Sequence, residues 1–255
     1  VQLSLEGRRA LITGGSRGLG LAMAWAFAGA GARVAIVARD QASLAEAAAG
    51  LPNAAPVSAD VSTADGCGRA FAAAEAALGG IDILVNNAGT SRRAPFVAIT
   101  DADWQADLDL KLFAAIRLTR LAWPGMAERR FGRVINVLNT GAKAPPAGGA
   151  PTAVSRAAGL ALTKVLAGEG APLGINVNAL LVGKIDSDQW VRRHAAAPEG
   201  RSYEEWKAES GRAIPMGRMG RAEEFAAMAL ALVSQPGDYV TGTAINVDGG
   251  LSPVT

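Results

Sequence analysis

Short apolar runs alternate with longer alanine-rich stretches along this chain, and that rhythm predicts its elements. The strand candidates are 9–13, 34–38, 55–58, 83–86, 133–137, 176–181 and 244–247. Most are short, continuous and β-branched, the pattern of parallel strands covered on both faces. Between them lie helix candidates at 21–30, 41–51, 66–78, 101–129, 151–168 and 222–233. This βαβα order predicts an α/β fold, a doubly wound parallel sheet of Rossmann type, in a single domain spanning residues 1–255. One segment, about residues 184–219, breaks the rhythm: it is polar, charged and rich in tryptophan. An insertion near the C-terminal ends of strands is the usual place for a substrate lid.

The turn after the first strand carries the first chemical signal. Thr13-Gly14-Gly15-Ser16-Arg17-Gly18-Leu19-Gly20 links a strand to a helix. A glycine-rich turn there lets backbone N–H groups approach a phosphate, and the positive end of the helix dipole faces the anion. The spacing is Gly14-x3-Gly18-x-Gly20, and such a turn can also serve packing alone. Further marks align with it. The second strand ends in Ala38-Arg39, where an NAD site would place a carboxylate for the ribose 2′-hydroxyl. Arg17 and Arg39 instead suit a 2′-phosphate, which favours NADP(H) over NAD(H); the alternative is that both are solvated surface charges. Asp60-Val61 follows the third strand, where an Asp can meet adenine, and Asn86-Asn87-Ala88-Gly89 follows the fourth.

Together these motifs resemble the short-chain dehydrogenase/reductase family over essentially the whole chain. The resemblance rests on the TGxxxGxG loop at Thr13–Gly20, the NNAG motif at Asn86–Gly89 and the stretch from Pro215 to Gly220 with Glu223-Glu224. The C-terminal run from Thr241 to Gly250 completes it. It implies a homodimer or homotetramer with a small-molecule substrate lying over the nicotinamide. It also implies that Gly14, Ser16, Arg17, Gly18, Leu19, Gly20, Arg39, Asp60, Val61, Asn87, Ala88 and Gly89 hold the cofactor, joined by Arg156, Gly183, Ile185 and Ser187.

The family's active site is an Asn, Ser, Tyr and Lys tetrad. Carried onto this chain, the four positions fall on Lys111, Asn139, Thr152 and Arg156, and all four depart. A tyrosine hydroxyl has a reference pKa of about 10, which a nearby lysine lowers. The Thr152 hydroxyl is a far weaker acid. Arg156 lies one helical turn on and can bind ribose hydroxyls, but it does not give up its proton. Asn139 can donate to a carbonyl oxygen. Lys111 is expected to face the same pocket as Arg156; two adjacent cations would ease loss of its proton and make it a candidate general acid. The alternative is that both cations hold an anionic substrate or fill a retired site.

The reading is thus an NADP(H)-dependent oxidoreductase with a divergent site, acting on a carbonyl or alcohol. Its proton comes from water, Lys111 or the substrate. The alternatives are a nucleotide sensor or partner subunit without turnover, and, ranked last, non-redox chemistry on the same scaffold. Trp190, Arg192, Arg193, His194, Tyr203 and Trp206 in the lid segment, with Arg92, Arg93 and Lys143, point to an anionic substrate if they line the cleft; solvated loop charge is the plainer alternative for each.

Composition excludes several other classes. The 255 residues are 50% hydrophobic and 19% charged, with net charge +2, and the basic residues are scattered. No nucleic-acid partner is expected. The single cysteine, Cys67, forbids an internal disulfide and fits a reducing, cytoplasmic compartment. Its Gly-Cys-Gly setting reads as a surface or packing residue. With only His194 as a soft companion it makes no metal site. No uninterrupted apolar run reaches the roughly 18 residues of a membrane span, and the first residues lack a signal-peptide pattern.

Overall fold

The structure, a computed structural model, describes residues 3–91, 94–196 and 200–255. Seven parallel strands form one sheet in the order β3-β2-β1-β4-β5-β6-β7. They are β1 (Arg9–Thr13), β2 (Arg33–Ala38), β3 (Ala55–Ser58), β4 (Ile83–Asn86), β5 (Gly132–Asn139), β6 (Ile175–Val182) and β7 (Ala244–Val247). Helices α1 (Gly18–Gly29), α2 (Gln41–Gly50) and α3 (Ala64–Leu78) connect the first half. The second half holds α4 (Asp101–Leu108), α5 (Ala114–Glu128), α6 (Thr152–Gly170), α7 (Asp188–Ala196), α8 (Tyr203–Arg212) and α9 (Ala222–Val233). The expected doubly wound α/β fold is therefore present.

Two cores sandwich the sheet. On one face Met23 and Phe27 of α1 and Phe225 and Ala229 of α9 pack on Ile12, Ile36 and Val85. On the other, Cys67 and Ala70 of α3 and Leu118 and Met126 of α5 pack on Leu11, Leu84 and Val134. Burial on both faces explains why the strands read as continuous apolar runs.

The differences from the sequence expectation are local. Strand β5 runs on to Asn139 and β6 to Val182, and these two end residues pair with each other. The expected helix 101–129 is broken by a π-turn at Asp109–Phe113, which carries Lys111. Such a turn inserts an extra residue into the helical ladder and rotates the side chains that follow. The polar segment 184–219 holds two helices, α7 and α8, rather than loop alone. Ser202 and Glu205 form a capping box at the start of α8, a start signal that the surrounding charge obscured.

At the bottom of the sheet, Asp82 accepts hydrogen bonds from Arg9 Nε at 2.7 Å and Arg129 Nε at 3.0 Å. The two guanidiniums hold its carboxyl below the usual aspartate range against the opposing effect of burial. This cluster lies at the end of the strands opposite the cleft described next.

Candidate active site

The chain order reverses between β1 and β4, and parallel strands there leave a crevice beyond their C-terminal ends. A cleft of about 1310 Å³ opens at that point. The turn after β1 forms its floor. Gly14 and Gly18 have φ of 65° and 55°, where a side chain would be strained. At Gly20 a Cβ would stand 2.1 Å from the Gly14 carbonyl oxygen. The turn is locked from beneath: Thr13 Oγ1 accepts from the backbone N–H groups of Asn87 and Ala88, both at 3.0 Å. Asn87 Nδ2 donates to the Thr13 carbonyl at 2.8 Å.

The start of α1 fits an anion. Its N-cap, Arg17, makes no side-chain cap, and its first turn has no acidic residue. Helices α2, α3 and α4, by contrast, are capped by Asp40, Thr63 and Thr100. The N–H groups that a capping side chain would take are thus left for a ligand, and the helix dipole favours a negative one.

The loop residues Gly14, Ser16, Arg17, Gly18, Leu19 and Gly20 all line the cleft. So do Arg39, Asp60 and Val61 from the ends of β2 and β3, and Asn87, Ala88 and Gly89 after β4. Gly183, Ile185 and Ser187 close the far side after β6. Beside Arg17 and Arg39, two carboxylates have other duties. Asp40 caps α2 through the Ser43 N–H at 2.9 Å, and Asp60 accepts the Ser62 N–H at 3.0 Å. Those bonds hold both carboxyls below their usual range despite desolvation, with Arg17 and Arg39 adding to the effect at Asp40 and Asp60 respectively.

Three of the four tetrad-equivalent positions meet in this cleft: Asn139, Thr152 and Arg156 line it. Arg156 Nη1 donates to the Val137 carbonyl at 2.9 Å, and its Nη2 lies where a Cβ on Gly89 would come within 2.5 Å. Desolvation pushes the guanidinium down to about 10, with Asp107 opposing, so it stays cationic at neutral pH.

Lys111 departs from expectation. It does not line the cleft, and its side chain is fully buried. It forms a close ion pair with Asp107, one turn earlier on α4. It also donates to Thr152 Oγ1 at 2.7 Å. Asp107, in turn, accepts from Ser155 Oγ at 2.6 Å. The expected pair of adjacent cations is therefore bridged by a carboxylate, Asp107. Sequence reasoning missed Asp107; its signal was the i, i+4 spacing to Lys111 on a helix.

The segment after β6 supplies the outer wall. Trp190, Arg192 and Arg193 of α7 and Trp206 of α8 line the cleft, with Lys184 before them. The two indole centroids are 5.7 Å apart, and Arg193 stands 5.1 Å over the Trp190 ring. Tyr203 and His194 do not reach the cleft. The Tyr203 hydroxyl donates to Asp186, and its phenol is pushed well above the usual range by desolvation and by that carboxylate. His194 Nε2 bonds the Arg201 carbonyl at 2.8 Å. Lys143 is also turned away, donating to the Ala244 carbonyl at 2.7 Å. Arg92 and Arg93 lie outside the described residues.

The family model described as enoyl-(acyl carrier protein) reductase matches residues 14–252. The chain belongs to the short-chain dehydrogenase/reductase family. It is 36% identical to an acetoacetyl-CoA reductase of Shinella zoogloeoides, over 95% of this chain and 98% of that one. It is 34% identical to a 3-oxoacyl-(acyl-carrier-protein) reductase of Thermotoga maritima, over 98% and 99%. Its fold superposes on L-sorbose reductase from Gluconobacter frateurii, solved with NADPH and L-sorbose, with a TM-score of 0.96 and 32% identity over the whole of both chains. The relatives are reductases acting on carbonyl groups, and the fold, the phosphate-ready turn and the cleft fit a nicotinamide cofactor.

Among the described residues no group of three or more His, Cys, Asp and Glu is arranged for a metal. No helix there is long and apolar enough to cross a membrane. Cys67 is buried rather than at the surface. Its thiol approaches the Val61 carbonyl at 3.1 Å, and desolvation pushes it up to about 11.

Proposed function

We propose that this protein is an NADP(H)-dependent oxidoreductase with a divergent catalytic site, acting on a carbonyl or alcohol that carries negative charge. The observation that carries the cofactor choice is the pair Arg17 and Arg39 lining the cleft, with Ala38 rather than a carboxylate ending β2 before Arg39. Two guanidiniums suit a 2′-phosphate, and both nearby carboxylates are held by backbone N–H groups. The NADPH in the L-sorbose reductase relative supports the same choice.

The bound nicotinamide supplies the hydride; the protein supplies position and charge. The uncapped α1 terminus receives the pyrophosphate, and Asp60 and Val61 border the adenine. Asn87, Ala88 and Gly89 line the middle of the groove. Arg156 holds the ribose hydroxyls, and Gly183, Ile185 and Ser187 flank the nicotinamide. Asn139 and Thr152 face the reacting oxygen and stabilise the charge that develops on it. With Lys111 buried beside a carboxylate, the proton reaches that oxygen from water rather than from a lysine.

Residues 184–219 form the substrate lid. Its Trp190 and Trp206 give an apolar wall, and Lys184, Arg192 and Arg193 give positive charge toward an anionic substrate. The single domain, residues 1–255, is read as one subunit of a homodimer or homotetramer. Arg17→Ala with Arg39→Ala tests the cofactor assignment. Spectrophotometric assays with acetoacetyl-CoA and with L-sorbose as oxidants of NADPH test the chemistry. Absence of NADPH consumption across these and a wider carbonyl panel, with NADPH still bound, would favour a nucleotide sensor instead.

A further inference from the structure

Asp186 lies between Ile185 and Ser187, two residues that line the cleft. Its backbone is fixed to the segment before α9. The Asp186 N–H donates to the Gly220 carbonyl at 2.9 Å, and the Gly220 N–H donates to the Lys184 carbonyl at 3.0 Å. Ile185 pairs with Gly220 in a short parallel bridge between them. The carboxylate of Asp186 is fixed to a different element. One oxygen accepts from the Tyr203 hydroxyl, and the other from Lys207 Nζ at 2.6 Å. Tyr203 and Lys207 are four residues apart on α8, so both lie on one face of that helix. A single ion pair this near the surface would hold little. Two charge-assisted bonds to one helix face set both the distance of α8 and its rotation about its own axis.

That rotation decides what α8 shows to the cleft. Trp206 and Ser210, again four residues apart, line it. Glu204, Lys207, Ala208 and Arg212 instead line a separate hollow of about 620 Å³. The Tyr203 ring stacks on Trp206, with centroids 6.0 Å apart and 23° between the planes. Trp206 in turn meets Trp190 of α7 at 5.7 Å.

We propose that Asp186 is a positioning residue for substrate: by gripping Tyr203 and Lys207 it holds Trp206 in the cleft wall, and so sets substrate affinity rather than the rate of hydride transfer. The assignment rests on the reading of residues 184–219 as a substrate lid and on the oxidoreductase reading for its kinetic test. A ring that is already held when substrate arrives has less freedom to lose on binding, so more of the contact appears as affinity. Without the Asp186 carboxylate the Tyr203 hydroxyl loses its acceptor. Lys207 can then turn to Glu204, 3.5 Å away on its own helix, a contact that leaves α8 untied to the segment after β6. Ile185 stays in place through the Gly220 bridge, so cofactor affinity is a separate quantity. Despite desolvation, Lys207 and Tyr203 hold the Asp186 carboxyl below its usual range, and the grip is therefore complete at neutral pH.

The direct test is ¹⁹F NMR of the protein labelled with 5-fluorotryptophan, without ligand. The chain has five tryptophans, and Trp206→Phe assigns the signal of interest. Asp186→Ala should shift or broaden the Trp206 signal and leave those of Trp104 on α4 and Trp123 on α5 unchanged. If Asp186→Ala does not fold, Tyr203→Phe and Lys207→Met each remove one of the two bonds and should move the same signal. An unmoved Trp206 signal would overturn the assignment. The kinetic arm uses NADPH with acetoacetyl-CoA or L-sorbose. Asp186→Ala should raise KM for the carbonyl substrate about 5- to 10-fold, close to the effect of losing the apolar ring itself, with kcat and NADPH affinity little changed. In a Trp206→Ala background the same substitution should add less than about 2-fold, because the ring it positions is gone. A full effect in that background, or a fall in kcat with KM unchanged, would equally overturn it. The NMR arm needs no turnover, so it separates failure of this assignment from failure of the oxidoreductase reading.

Discussion

In the proposed reading, single side chains decide which nucleotide the cleft prefers. Arg17 and Arg39 line the cleft beside the end of β2, and each charge-assisted bond to a phosphate is worth about 1.5–3 kcal/mol. Replacing both with alanine should weaken NADPH by roughly 10- to 100-fold and leave NADH almost unchanged, as read by nicotinamide fluorescence. Cys67 gives a second, simpler expectation. Its buried thiol is pushed up to about 11, and the thiolate is the reactive form. A thiol reagent at pH 8 should therefore leave the folded protein unmodified and react only on unfolding. The residue scale is also where sequence reading fell short. Lys111, Thr152 and Arg156 were visible as departures, but the chain pattern gave no hint that Asp107 separates Lys111 from Arg156. Lys111 also meets Thr152 on α6, a contact between helices that no local spacing encodes.

Elements were more legible, because burial on both sheet faces writes itself as apolar runs. Strands β1, β3, β4 and β7 and helix α9 have the bounds the pattern predicts. The glycine turn was legible for a related reason, since only glycine fits the backbone at residues 14, 18 and 20. Helices α7 and α8 were not legible. Their polar faces outweigh the aromatic residues, and those residues pack chiefly on one another. That mutual packing leads to an element-scale prediction. If α7 and α8 cover the substrate, Trp190→Ala and Trp206→Ala should raise KM for the carbonyl substrate about 10-fold, as loss of an apolar wall does. NADPH affinity should be unchanged, and steady-state kinetics with a fluorescence titration distinguishes the two. Equal loss of NADPH binding would mean that these helices support the cofactor instead.

Across the whole molecule, stability and function occupy opposite ends of the strands. The cleft opens at their C-terminal ends, while Asp82, Arg9 and Arg129 tie the N-terminal ends together. Asp82→Asn should therefore destabilise the fold by about 3 kcal/mol, as loss of one member of a buried charge cluster does, without changing kcat. Denaturant melts and kinetics on the same sample check both halves. The pH dependence has a definite sign. The folded carboxyl lies below its usual value, so its stabilisation is fully present above about pH 4 and is lost as pH falls through the folded value. Wild type and Asp82→Asn should thus converge in stability at acid pH.

The central claim is that this cleft is built for a 2′-phosphorylated nicotinamide nucleotide, whatever proton donor accompanies it. Parallel fluorescence titrations of the purified protein with NADPH and NADH test it most directly. The account predicts NADPH binding at least about 10-fold tighter than NADH, with the preference abolished by Arg17→Ala and Arg39→Ala together. Equal affinity, tighter NADH, or binding of neither nucleotide would contradict it.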